Sequence, residues 1–163
     1  MIIEGRAVVV PGEDVDTDVM YPGQYLNIDD PELMKPYLFE GFDPTLRDQL
    51  GDDAIIVTGR NFGIGSSREH VPLAMKAWGV QAVVGPSFAR IFRRNCVNLG
   101  LPVLEAPEAA AAARSGSRLR IDTDAGEIDV DGKRFVATPV APLVVELQTA
   151  GGLIPWAAAR AAR

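Results

Sequence analysis

The chain is 163 residues long, 47% hydrophobic and 23% charged, the balance of an ordinary globular domain. Its formal net charge of −6 opposes binding to a nucleic-acid backbone, and its longest apolar run, the five alanines of residues 109–113, is far short of the roughly 20 residues that cross a bilayer. One cysteine, Cys96, and one histidine, His70, exclude a disulfide framework and a zinc or iron–sulfur site built from this chain alone.

Residues 1–6 (MIIEGR) lead into a strand and do not read as a basic and apolar signal segment, which with the single thiol predicts a cytoplasmic protein. Residues 5–10 (GRAVVV) form a β-branched run stopped by Pro11-Gly12. Four acids follow within residues 13–18. Residues 31–39 and 43–50 are predicted helical, the second with Asp43 as N-cap and Pro44 in the first turn. Residues 54–58 (AIIVT) make a buried strand. A glycine-rich turn over residues 59–69 then opens a helix that ends at Gly79.

Residues 80–84 are a further buried strand. Ser87 is the predicted cap of a helix whose apolar positions Phe88, Ile91, Phe92, Cys96 and Leu99 keep helical spacing. A short strand over 102–104 and an alanine-rich helix over 107–114 come next. Residues 118–122 and 127–130 alternate apolar and polar, and Asp131-Gly132 is a type I′ hairpin signal leading into 133–136. Helical stretches at 143–149 and 154–160 finish the chain. The order of elements predicts a parallel α/β layer with a late antiparallel hairpin. With no repeat and no linker, residues 1–163 are expected to be one domain.

The stretch that carries chemistry is Gly63-Ile64-Gly65-Ser66-Ser67-Arg68-Glu69-His70. Its glycines allow a sharp strand-to-helix turn and bring N–H groups close to a ligand. Ser66 with Glu69 reads as a capping box, which predicts that the helix starts at Ser66 and aims its positive end outward. Arg68 adds a bidentate fork for a carboxylate or phosphate. A merely structural capped helix, with Arg68 paired to a surface acid, is the competing reading. A dinucleotide fingerprint fits poorly because Arg68 stands where the third glycine belongs. The stretch is neither a P-loop nor a nucleophile elbow.

Residues 63–70 (GIGSSREH) resemble the GxGSSREH signature of the swivel domain of the aconitase superfamily. Asp16-Thr17-Asp18 is similar to that domain's early Asp-Thr-Asp segment, and residues 87–92 (SFARIF), Asn95 and Gly100-Leu101-Pro102 to its later block. The match runs in order through most of residues 5–104. The resemblance implies a three-layer β/β/α swivelling domain with a mixed sheet. A chain of this length is similar to the form in which that domain is a separate small subunit, lacking the family's cluster-bearing domains.

The implied reaction moves a hydroxyl between neighbouring carbons of a hydroxy-dicarboxylate by dehydration and rehydration. A [4Fe–4S] cluster, bound by a partner large subunit and not by this chain, serves as Lewis acid in a heterodimer or heterotetramer. By the same resemblance Ser66 is the catalytic base, Ser67 and Arg68 bind substrate carboxylate, Asp18 lines the site and orients Arg68, and Thr17 supports them. Ionising a serine at neutral pH costs more than about 4 kcal/mol, whereas a helix start contributes about 0.3–1 kcal/mol, so Arg68 and the cluster must supply the difference.

Tyr25-Leu26-Asn27-Ile28 falls where related small subunits carry a specificity loop. No basic residue occurs between Arg6 and Lys35, so Leu26 and Ile28 suit an apolar branch such as isopropyl rather than a third carboxylate. Dimethylmalate and homoaconitate remain open as substrates, as does a non-catalytic carboxylate-binding module. The bland alternative for residues 25–28 is a strand end whose Leu26 and Ile28 enter the core. His70 is expected to stabilise the turn; Met20, Tyr21 and Tyr37 are candidate interface residues; Arg93-Arg94 is either a solvated face or part of a subunit contact.

Overall fold

The run of residues 54–57 is apolar throughout because it lies at the centre of a sheet covered on both sides. In the computed structural model, which describes residues 1–163, this strand is β2 (Ala54–Thr58), and all its residues are buried. It pairs in parallel with β1 (Ile2–Val10), Val8 opposite Ile56, and with β3 (Ala82–Gly85), which pairs in parallel with β4 (Val103–Glu105). On the far side of β1 the direction reverses. β5 (Arg118–Asp122), β6 (Glu127–Val130) and β7 (Lys133–Val136) are antiparallel, giving one seven-stranded sheet in the order β4-β3-β2-β1-β5-β6-β7.

Each face of the sheet carries a core. On one face, Val8 and Ile56 pack with Val71 and Met75 of α3 (His70–Ala77) and Phe92 and Cys96 of α4 (Arg90–Asn98). On the other, Ile55 and Val57 from the parallel half pack with Ile121, Ile128 and Phe135 from the antiparallel half. That shared core brings the two halves of the curled sheet face to face, with Ala109 of α5 (Pro107–Ala112) in the same cluster. The result is the expected β/β/α layering. β5 alternates buried with mostly exposed residues and β6 buried with half-buried ones, because one face of each strand is covered more fully than the other. Two C-terminal helices, α6 (Pro142–Ala150) and α7 (Leu153–Ala161), follow β7. No helix is long and apolar enough to cross a membrane.

Several expectations need correction. β1 starts three residues earlier than the run 5–10 suggested. The helix predicted over 31–39 is split into an α turn (Pro31–Met34) and a 3₁₀ turn (Lys35–Tyr37), because Pro36 has no N–H to continue the ladder. The segment after Asp43 is also 3₁₀ (Pro44–Gln49), although Asp43 caps it as predicted by accepting from Thr45 N. Ser87 does not cap α4. Its hydroxyl accepts from Asn61 N at 2.9 Å, and the helix starts three residues later. Asp131 and Gly132 have φ of 50° and 90°, as a type I′ turn requires.

Candidate active site

The loops that leave the carboxyl ends of β1, β2 and β3 meet at one edge of the sheet, the usual location of ligand sites in α/β folds. Backbone bonds join them: Gly63 N donates to Val15 O at 2.9 Å, Thr17 N to Ile64 O at 2.8 Å, and Ala89 N to Phe62 O at 2.9 Å. The two glycines before the serines are dictated by this crossing. Both have positive φ, 90° at Gly63 and 101° at Gly65. A Cβ at Gly63 would run into the Phe92 ring, and one at Gly65 into the Asp16 carboxylate. Only glycine satisfies both demands.

On the opposing strand exit, α1 (Thr17–Met20) is a single turn capped by Asp16, whose Oδ1 accepts from Asp18 N at 2.7 Å. This cap fixes Asp18 facing the serine turn. Ser66 Oγ donates to Asp18 Oδ1 at 2.5 Å, and Thr17, buried, donates from Oγ1 to Ser66 O at 2.8 Å. Arg68 Nε lies 3.1 Å from the same Asp18 Oδ1. Its N–H finds no acceptor in hydrogen-bonding geometry, so the pairing is one of charge. Nη1 donates to Tyr21 O at 2.6 Å. The Nη2 edge faces Gly23, which has no side chain to cover it. The Ser66 hydroxyl, and with it the Arg68 charge, holds the Asp18 carboxyl below the usual carboxylate range against the opposing effect of desolvation. Asp18 is therefore a carboxylate at neutral pH.

The predicted capping box is not formed. Helix α3 starts at His70 with Glu69 as an uncapped N-cap, and Ser66 to Arg68 lie in the turn before it. Two contacts prevent an earlier start: the Ser66 hydroxyl is committed to Asp18, and Arg68 N donates back to Ser66 O at 2.9 Å. The positive field at the serines thus comes from the Arg68 guanidinium and not from a helix end. Ser66 and Ser67 are both exposed. Clefts around Thr138 and Gln148 and between α6 and α7 lie away from the turn. The turn is open surface.

Residues 25–28 do not end a strand. Tyr25 closes a 3₁₀ turn (Gly23–Tyr25) and stacks on Tyr37 at 3.9 Å between centroids. The side chains then divide: Ile28 is half-buried against the helix-side core, whereas Leu26 is 38% exposed and Asn27 is exposed. Met20 and Tyr21, candidate interface residues by sequence, are fully buried, and Tyr37 packs against the same core. Arg93 pairs with Glu105 at 3.1 Å, leaving Arg94 exposed.

Tyr21 is the residue that sequence reasoning misplaced. Its carbonyl holds Arg68, and its hydroxyl, pushed up in pKa by burial and so kept protonated, donates to Tyr25 O at 2.9 Å. Asp16 was likewise missed as a cap, although an acid two residues before Asp18 is the sequence signal of such a turn.

Fold and turn together place the chain in a class, the swivelling domains of the aconitase type. A family model described as the aconitase C-terminal domain matches residues 14–109, the span that contains every residue of the turn and its supports. The 3-isopropylmalate dehydratase small subunit of Moorella thermoacetica is 48% identical over 160 residues, 97% of this chain and 96% of that protein. The protein of the same name in Methanosarcina acetivorans is 44% identical over 157 residues, 95% of this chain and 96% of its own. A crystal structure of 3-isopropylmalate dehydratase from Methanocaldococcus jannaschii superposes with a TM-score of 0.92 at 38% identity, covering 99% of this chain and 96% of that one. The chain belongs to the family of 3-isopropylmalate dehydratase small subunits, within the aconitase superfamily.

That kinship implies an iron–sulfur enzyme, and the residues of this chain do not fit a cluster. Cys96 is fully buried in the helix-side core, where burial pushes its thiol up and away from the thiolate a cluster needs. Nowhere do three His, Cys, Asp or Glu side chains converge as ligands.

Proposed function

We propose that this chain is the small subunit of a cytoplasmic hydro-lyase that interconverts 2-isopropylmalate and 3-isopropylmalate by dehydration and rehydration, a reaction of leucine biosynthesis. All 163 residues act as one domain, and a large subunit completes the enzyme as a heterodimer or heterotetramer. The names of its relatives support the activity and the partnership. The single observation that carries the reading for this chain's own residues is the cluster of Ser66, Asp18 and Arg68 on an open turn. The [4Fe–4S] cluster that the superfamily implies belongs to the large subunit, since this chain has no ligand set for it.

Within that assembly Ser66 Oγ takes the proton from the substrate carbon. The 2.5 Å bond to Asp18 gives the hydroxyl's own proton somewhere to go. As Oγ accepts the carbon-bound proton, its original one passes to Asp18 Oδ1, and the reverse transfer restores both groups. No free alkoxide accumulates in that paired transfer. The uncovered Nη2 edge of Arg68, with the Ser67 hydroxyl, receives a substrate carboxylate. The branch lies toward exposed Leu26, in a segment that carries no basic residue of its own to hold a third carboxylate.

The test is reconstitution. The chain alone should be inactive, and with its large subunit it should turn over isopropylmalate. Ser66→Ala in that pair should lower kcat by about 10²–10⁴-fold, the usual contribution of a general base, while KM stays within several-fold. Near-full turnover by the variant would remove Ser66 from the mechanism.

A further inference from the structure

The loop that carries Leu26 is closed by its own backbone through local bonds: Tyr25 N donates to Pro22 O at 3.1 Å, Leu26 N to Gly23 O at 3.2 Å and Ile28 N to Tyr25 O at 3.2 Å. It leaves the 3₁₀ turn at Tyr25, exposes Leu26 and Asn27, and re-enters the core at Ile28. Two successive carbonyls are also held from outside the segment. Tyr25 O accepts from the Tyr21 hydroxyl at 2.9 Å, and Leu26 O lies 3.1 Å from His70 Nε2. The imidazole also stacks on the Tyr21 ring, with centroids 5.0 Å apart and planes at 25°. Tyr21 is the residue whose carbonyl grips Arg68, and His70 follows Arg68 by two residues at the first position of α3. One compact unit of Tyr21, Arg68 and His70 therefore fixes both the fork for the carboxylate and the backbone on either side of Leu26.

We propose that His70 is a positioning residue for substrate selection. Its Nε2–H donates to Leu26 O and sets the distance between the loop that meets the substrate's branch and the guanidinium that meets its carboxylate. Nε2 carries a proton both in the imidazolium and in one neutral tautomer, so the tether needs no particular charge on the ring. This assignment rests on the reading that residues 25–28 face the branch. The chain has one histidine, so a substitution at this position isolates the tether without affecting other imidazoles.

The experiment compares three small-subunit variants reconstituted with the large subunit, on 3-isopropylmalate and on 3-methylmalate. His70→Phe keeps a ring on Tyr21 and removes the donor; His70→Gln restores a donor without the ring. Losing this hydrogen bond should raise KM for the isopropyl substrate by about three- to tenfold relative to the methyl one, with kcat within about twofold. In the free full-length chain, amide exchange over residues 23–28 should quicken in His70→Phe while that of β2 is unchanged. His70→Gln should recover most of both effects. An unchanged KM ratio with unchanged exchange, or a glutamine variant no better than phenylalanine, overturns the assignment. A Leu26→Ala control separates the two layers of the argument. If it leaves the KM ratio unchanged, the placement of the branch fails. If it shifts the ratio while His70→Phe does not, only the role of His70 fails.

Discussion

Among the chain reversals in this protein that use left-handed backbone, two are built on opposite plans. The hairpin turn at Asp131-Gly132 is held within the antiparallel half of the sheet: Gly132 N donates to Asp129 Oδ1 at 2.8 Å, Arg118 N of the neighbouring strand donates to Asp131 Oδ1 at 2.8 Å, and a Cβ added at Gly132 would meet nothing. The turn at Gly63–Arg68 is assembled from distant pieces. Its backbone bonds to Val15 and Thr17, its glycines make room for Asp16 and Phe92, and its serine bonds to Asp18, 48 residues away. The hairpin needs glycine only for its φ, whereas the serine turn needs it for φ and for space. A turn held by its neighbours is tolerant; one held by remote chain segments transmits every displacement to the groups it positions.

The sharpest way to break that contrast is to place the same substitution in both turns. Gly65→Ala should push the Asp16 carboxylate away, loosen the cap that aims Asp18, and lower turnover of the reconstituted enzyme by about a hundredfold, the penalty of misplacing a reacting group by roughly 1 Å. Steady-state kinetics of the pair reads this directly. Arg68→Lys comes next. Lysine cannot hold Tyr21 O and Asp18 while offering a second edge to a carboxylate, so KM should rise by about ten- to a hundredfold, the range for a lost charge-assisted bond.

Gly132→Ala should be milder, costing about 1–2 kcal/mol of stability through its positive φ alone. Urea unfolding of the free chain would show it, and the kinetics of the pair should not change. Smallest is the effect of mild acid. Asp18 has a lowered folded pKa, so its contribution to the turn is complete above the ordinary carboxylate value of about 4 and is lost only as pH falls through the lowered value. Exchange protection around Ser66 should therefore persist to about pH 4 and weaken below it. Loss of protection near neutrality would show that Asp18 is not the anchor.

The strands were largely readable because their signals are local. β2, β5, β6 and β7 occur at the expected residues, each marked by continuous or alternating burial over a few positions. The helix starts were less readable. Ser66 and Ser87 both look like N-caps in sequence, and in both cases a partner from another segment takes the hydroxyl: Asp18 for Ser66 and Asn61 for Ser87. A cap motif specifies what a hydroxyl would do with only its own helix as partner, and long-range contacts compete for it.

The amino-acid sequence by itself determined where the glycine-serine turn lies, that a parallel layer surrounds it, and that this chain lacks the thiolates for a cluster, because these follow from residue identity and from periods of two and 3.6 residues. Three-dimensional packing alone decided that Ser66 faces Asp18 instead of a helix, that Leu26 is exposed while Ile28 is half-buried, and that Tyr21 and His70 bracket the loop. Those outcomes depend on segments brought together from dozens of residues apart, and no local pattern encodes which distant group will arrive.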